Sequence, residues 1–226
     1  MKQFERTSLL IGEENIKKLN NSHVIVFGIG GVGSYTVEAL TRAGVGNLTI
    51  VDFDTVDETN INRQIIALHS TIGKKKVNVA KERILDINPN INLEIHDTFV
   101  SPETIDKFNF SKYDYVVDAI DNVTGKLLII QKAIEFNKPI ISCLGTANKL
   151  DPTKLILTDI SKTNTCPLAK IVRTKLRQIG INHLDVLFSS EEPIKTSNNV
   201  LGSMPYVPSV GGLLVSSHVI KNLIKK

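Results

Sequence analysis

The chain has 226 residues, 42% of them apolar and 22% charged, which fits a globular chain with a substantial core and excludes a collagen-like or wholly disordered one. Two cysteines, Cys143 and Cys166, are too few for a disulfide framework or a four-cysteine zinc site, and with no apolar run after Met1 the expected home is the reducing cytoplasm. The longest apolar stretch, Val210 to Ile220, is broken by Gly, Ser and His and reads as too short for a membrane span. The formal charge of +4 is unevenly spread: residues 1–150 hold 17 basic and 18 acidic side chains, net −1, and residues 151–226 hold 10 and 5, net +5. Such a basic last third suits a polyanion or is simply a solvated face.

The apolar run Val24–Phe27 predicts a buried strand that ends in the turn Gly28-Ile29-Gly30-Gly31-Val32-Gly33-Ser34. A helix follows, with Val37, Leu40 and Ala43 at helical spacing and a stop at Gly44, then a strand over Leu48–Val51 ending at Asp52. Helices are predicted from about Lys75 to Ile87, stopped by Asn88-Pro89, and from Gly125 to Phe136. Strands are predicted at Asn92–His96, Tyr113–Asp118, Pro139–Cys143 and Lys154–Asp159. This alternation implies an α/β fold with a doubly wound, mostly parallel sheet. Beyond Asp159 come an amphipathic helix, a loop from about Ser189 to Pro208, and a last helix from about Gly211.

Gly28, Gly30 and Gly33 satisfy G-x-G-x-x-G, and Asp52 lies 19 residues beyond the last of them. Glycines let backbone approach phosphate, a helix N-terminus offers free N–H groups, and an acid at the second strand's end accepts from ribose hydroxyls. The motif alone does not choose between a dinucleotide and ATP. The next residues do, because Asp52 to Gln64 is dense in polar groups where a dehydrogenase would begin a helix. Arg63, Lys76 and Asp121 all lie beyond strand C-terminal ends, where such sheets bind ligands. Two cations and a carboxylate able to hold Mg²⁺ suit nucleotidyl transfer and have no use in hydride transfer. Each has a bland alternative: most of Lys74, Lys75 and Lys76 are surface charges, Asp54 caps a loop, and Asp118 is a strand-end carboxylate.

The glycine loop, the run Val45–Asp54, the box Asn60-x-Asn62-Arg63-Gln64, Gly73-x-x-Lys76 and Asp118-Ala119-Ile120-Asp121-Asn122 together resemble the ubiquitin-activating-enzyme-like adenylating family. The resemblance implies a Rossmann-like adenylation fold whose Gly28, Gly30, Gly31, Gly33, Asp54, Asn60 and Gln64 surround ATP. Asp52 then binds ribose, Arg63 and Lys76 contact the triphosphate, and Asp121 holds Mg²⁺. Arg6 matches an arginine that in this family reaches a neighbouring subunit's site, which implies a homodimer. Residues 1–160 are accordingly expected to form the adenylating unit.

In the last third, Leu168, Ile171, Val172, Leu176 and Ile179 fall on one helical face and Lys170, Arg173 and Arg177 on the other, with no acid between Asp159 and Asp185. The segments Asp159–Thr163, Pro167-Leu168-Ala169, Leu176-Arg177-x-x-Gly180-Ile181, Phe188-Ser189-x-Glu191-x-Pro193 and Gly202-Ser203-x-Pro205-Tyr206-Val207-Pro208-x-x-Gly211 resemble those of the bacterial tRNA threonylcarbamoyladenosine dehydratases. That implies ATP-dependent ring closure of the modified adenosine through an acyl-adenylate, with residues 161–226 packed on the same domain as a tRNA-docking extension and a sulfur-transfer protein as a further candidate partner. An activator of a small ubiquitin-like or sulfur-carrier protein is the alternative. Cys166 is read as an incidental loop thiol and Cys143 as a core residue.

Overall fold

The computed structural model describes residues 2–196 and 201–225. Helices α1 (Glu5–Ile11) and α2 (Glu13–Asn21), separated by Gly12 at φ +86°, come first, in a region where no element was expected. There follow β1 (His23–Phe27), α3 (Gly33–Ala43), β2 (Asn47–Asp52), α4 (Lys76–Ile87), β3 (Asn92–Asp97), β4 (Tyr115–Asp118), α5 (Val123–Glu135), β5 (Ile140–Cys143), β6 (Leu155–Asp159), α6 (Pro167–Gln178), β7 (Asp185–Ser189) and α7 (Tyr206–Lys225).

The strands form one sheet in the order β3-β2-β1-β4-β5-β7-β6. All neighbours are parallel except β6 and β7. Its middle strands β4 and β5 are buried at every position because helices cover both faces. Successive β1 residues alternate between two cores: Val24 and Val26 pack with Val37 and Leu40 of α3 and Val215 and Val219 of α7. Ile25 and Phe27 pack with Ile129 and Ile130 of α5 and Val172 and Leu176 of α6.

The structure differs from the sequence-based expectation at three places after Asp159. The short run Asp185–Ser189 is a buried strand between β5 and β6, too brief for periodicity to separate from loop. Helix α7 begins at Tyr206, not Gly211, because Pro208 falls in its first turn, where a missing N–H costs no helical hydrogen bond. At 20 residues α7 is long and apolar enough by length and composition to cross a membrane, yet Val207, Val215, Val219 and Leu223 are buried in the core. Ile171 in α6 and Ile179 at its C-cap are 46% and 47% exposed, so the buried stripe is the narrower Ala169, Val172, Leu176. Of the loop read at Ser189–Pro208, residues 197–200 lie outside the described part.

Candidate active site

The glycines of the first turn divide into two kinds. Gly28 adopts φ +88°, and a Cβ there would sit 2.7 Å from the Ala119 carbonyl oxygen; one on Gly33 would sit 1.7 Å from the Gly28 oxygen. These two close the turn. Around Gly30 the only atom of the described residues that a Cβ would meet within 4 Å is Gln64 Nε2, at 3.9 Å, so this glycine keeps open space above the loop. A Cβ on Gly31 would meet Pro208 of α7 at 3.1 Å and Arg63 Cγ at 3.5 Å. No side chain caps the N-terminus of α3, which leaves first-turn N–H groups for an anion.

Asp52, at the end of β2, is 9% exposed. Its Oδ2 accepts from Ile29 N–H at 2.6 Å and its Oδ1 from Asp54 N–H at 2.9 Å, so it also pins the glycine loop. Burial raises its pKa above the ordinary aspartate value, against the pull of Lys76. Lys76, buried at the start of α4, donates to Asp54 Oδ2 at 2.7 Å; Asp54 is thus an ion-pair partner and not merely a loop cap. Lys74 and Lys75 are more exposed, as expected of surface charges. Asn60 is buried and its Oδ1 accepts from Asp57 N–H at 3.1 Å. Arg63 donates to the Thr59 carbonyl at 2.8 Å and to Asn62 Oδ1 at 2.9 Å, with no carboxylate to neutralise it among the described residues. Gln64 is buried, and its Oε1 is a buried side-chain oxygen without a partner among the described residues.

Asn122 caps α5 by accepting from Gly125 N–H at 2.8 Å. The exposed Asp121 beside it has no hydrogen-bond or ionic partner among the described residues. Behind it lies an ionic network with no clear signal in the sequence. The fully buried Asp118 accepts from Lys126 Nζ at 3.0 Å and Ser142 Oγ at 2.5 Å, and Lys126 also donates to the Cys143 carbonyl at 2.6 Å.

A cavity of about 780 Å³ runs along the C-terminal ends of β2, β1, β4 and β5. It brings together Gly28, Gly30, Gly31, Asp52, Asp54, Asn60, Arg63, Gln64, Lys76 and Asp121. Gly33 lies beneath the loop and does not line it, and Arg6 is exposed on α1 away from it. Lys149, Cys166 and Pro208 also line it, none of which was singled out as a binding residue. Cys166 is a buried N-cap of α6, its Sγ accepting from Ala169 N–H at 3.4 Å, and so is no exposed loop thiol. Burial pushes the Cys143 thiol up to about 12, which makes it an inert core group. No cluster of three or more His, Cys, Asp or Glu suited to a metal occurs among the described residues.

A doubly wound sheet with a glycine loop, two cations and an unpaired carboxylate at its C-terminal edge defines a protein built for a nucleoside polyphosphate. The chain belongs to the ThiF family, whose model matches residues 4–226. It is 44% identical over 241 residues to the tRNA threonylcarbamoyladenosine dehydratase of Bacillus subtilis, covering 99% of this chain and 95% of that one. Crystal structures of the Escherichia coli tRNA N6-threonylcarbamoyladenosine dehydratase superpose with a TM-score of 0.94 for the AMP complex and 0.93 for the ATP complex, each at 34% identity over 99% of this chain and 94% of that one. A probable adenylyltransferase/sulfurtransferase of Mycobacterium tuberculosis is 37% identical, but over 58% of this chain and 33% of its own length.

Proposed function

We propose that the protein is an ATP-dependent tRNA threonylcarbamoyladenosine dehydratase. The observation that carries this reading is one cavity that joins an open glycine cradle, the cations Arg63 and Lys76 and the free carboxylate Asp121. The full-length likeness to dehydratases, one of them solved with ATP and with AMP, supplies the substrate class. The likeness to the sulfurtransferase-linked relative stops at 58% of the chain, which disfavours a sulfur-carrier activator.

ATP fits the site: space is kept over Gly30, and Gln64 Oε1 is a buried acceptor awaiting a donor. Asp52, already holding the loop, offers its remaining lone pairs to ribose hydroxyls. Arg63 and Lys76 face the polyphosphate, with Asp54 keeping the Lys76 ammonium in place. Asp121 would hold Mg²⁺ together with phosphate oxygens, the usual pattern of one carboxylate plus ligand oxygens. When bound, the ion neutralises charge that leaves with pyrophosphate.

The substrate carboxylate is a poor electrophile, since displacement on it would expel oxide. Its attack on the α-phosphorus of ATP forms the acyl–phosphate bond, breaks the α–β bridge and releases pyrophosphate. Attack by a nucleophilic group tethered in the same modification on the activated carbonyl then closes a ring, expels AMP and releases the nucleophile's proton, which completes the loss of water. Because that nucleophile is tethered, no protein nucleophile is needed.

The basic last third is the proposed tRNA-docking region, with Lys170, Lys175 and Arg177 exposed on α6. Arg173 contributes less, because it is tied to the Thr163 carbonyl at 2.9 Å and to the Thr163 hydroxyl. A homodimer in which Arg6 serves the partner's site is supported by Leu9 and Leu10 on the same helix, 84% and 86% exposed. The test is incubation with ATP, Mg²⁺ and tRNA carrying threonylcarbamoyladenosine. Loss of one water from the nucleoside with stoichiometric AMP is the expected result, and an unchanged nucleoside rejects the function.

A further inference from the structure

The acids lining the cavity are confined to one part of it. Asp52 ends β2, Asp54 follows it and Asp121 follows β4, whereas the part beyond β5 is lined by no acid among the described residues. It holds Lys149 instead. This residue is 3% exposed, and its ammonium donates to the backbone carbonyl of Glu191. The Glu191 carboxylate is occupied elsewhere: its oxygens accept from Leu150 N–H at 3.1 Å and from Asp151 N–H at 3.0 Å. No carboxylate lies within ion-pair distance of Lys149 among the described residues. The titratable groups within electrostatic reach are Cys166, Glu191 and Glu192, and burial still outweighs them, holding the ammonium below the usual lysine range. The N-terminus of the 12-residue α6 lines the same part through Cys166, Pro167 and Leu168, adding its positive dipole.

A buried cation without a protein counterion is expensive to keep, so an anionic ligand is its natural complement. Arg63 and Lys76 lie across the glycine loop, on the side of β1 away from β5. The reaction must also bring a carboxylate against an already anionic nucleotide, and Arg63 and Lys76, engaged with the polyphosphate, lie on the far side of the glycine loop from the part beyond β5.

We propose that Lys149 binds the carboxylate of the incoming nucleoside and holds it toward the α-phosphate, so that it selects for a free acid at this end of the cavity. One of its three donors goes to the Glu191 carbonyl, and two remain for the oxygens of the carboxylate. The inference deepens the dehydratase reading and rests on it.

The experiment compares wild type with Lys149→Met, Lys149→Gln and Lys149→Arg, using the full chain. Each is titrated with tRNA bearing threonylcarbamoyladenosine and with the same tRNA whose threonyl carboxylate is converted to the amide. Wild type is expected to prefer the free acid at least about tenfold. That preference should collapse toward unity in the Met and Gln variants and return in part with Arg, while their affinity for ATP and their Tm stay near wild type. A Met or Gln variant that keeps the full preference overturns the inference, as does one that loses ATP affinity and acid preference together. Wild type that turns over the modified tRNA while its variants still discriminate sinks this inference alone; wild type without turnover sinks the dehydratase reading too.

Discussion

Lys126 Nζ lies 3.0 Å from Asp118 Oδ2, and both side chains are fully buried. The pair ties α5 to the end of β4 and, through the Cys143 carbonyl, to the end of β5. Asp118 Oδ1 also accepts from Ile120 N–H at 3.3 Å, so the network sets the turn that presents Asp121. Lys126→Met leaves the carboxylate buried without its cation and is expected to cost about 3–5 kcal/mol. Adding Asp118→Leu should recover part of that loss in urea denaturation; an additive double variant would show that the two are not coupled.

Substitutions in the glycine loop should separate folding from binding. Gly33→Ala would place a methyl 1.7 Å from the Gly28 oxygen, and little folded protein is expected. Gly30→Ala meets only Gln64 Nε2 at 3.9 Å, so its Tm should stay within a few degrees of wild type. Its ATP affinity should fall by about tenfold or more, because the added carbon occupies the space kept for phosphate. Calorimetric titration with ATP measures the second effect and thermal denaturation the first.

Arg6 and Asp121 are expected to complement each other across a dimer. Asp121→Ala should retain its fold, since the exposed carboxylate has no partner among the described residues, and lose about 10²-fold or more in AMP release. Arg6→Ala should be similarly impaired. Equal mixing and subunit exchange of the two inactive variants should restore roughly a quarter of the wild-type rate, because half of the dimers then hold one intact site. No recovery after confirmed exchange would mean that Arg6 does not act on a partner.

Glu38 predicts a pH dependence of stability. It joins α3 to α4 through Arg83, at 2.6 and 3.0 Å, and accepts from Arg42 at 2.7 Å. Burial alone would raise its pKa, but the two guanidiniums overcome burial and hold it below the ordinary glutamate value. A carboxyl with a depressed folded pKa stabilises above its unfolded value and loses that stabilisation as pH falls through the folded one. Denaturation midpoints should therefore drop below pH 4.5, and Glu38→Gln should flatten that slope while costing about 1–3 kcal/mol at neutral pH.

The parallel sheet was legible because its strands β1, β2 and β4 are short apolar runs ending in a turn or an acid, a local signature of burial on both faces. The site motif was legible for a similar reason: Gly28, Gly30, Gly33, Asp52, Arg63, Lys76 and Asp121 each sit at a fixed offset from a strand end, and strand ends converge in this architecture. Local pattern could not reveal β7, whose place between β5 and β6 depends on partners about 26 to 44 residues away.

The amino-acid sequence by itself determined the alternation of strands and helices, the position of the glycine turn and the chemistry of the residues beyond it, since all three follow from periodicity and spacing along the chain. Only the tertiary structure decided that Gly30 opens the cradle while Gly33 closes the turn, that Asp118 is neutralised by Lys126, and that Lys149 is a buried cation facing the cavity. Those properties depend on what packs against each group, and a buried charge is defined by neighbours that the linear order does not name.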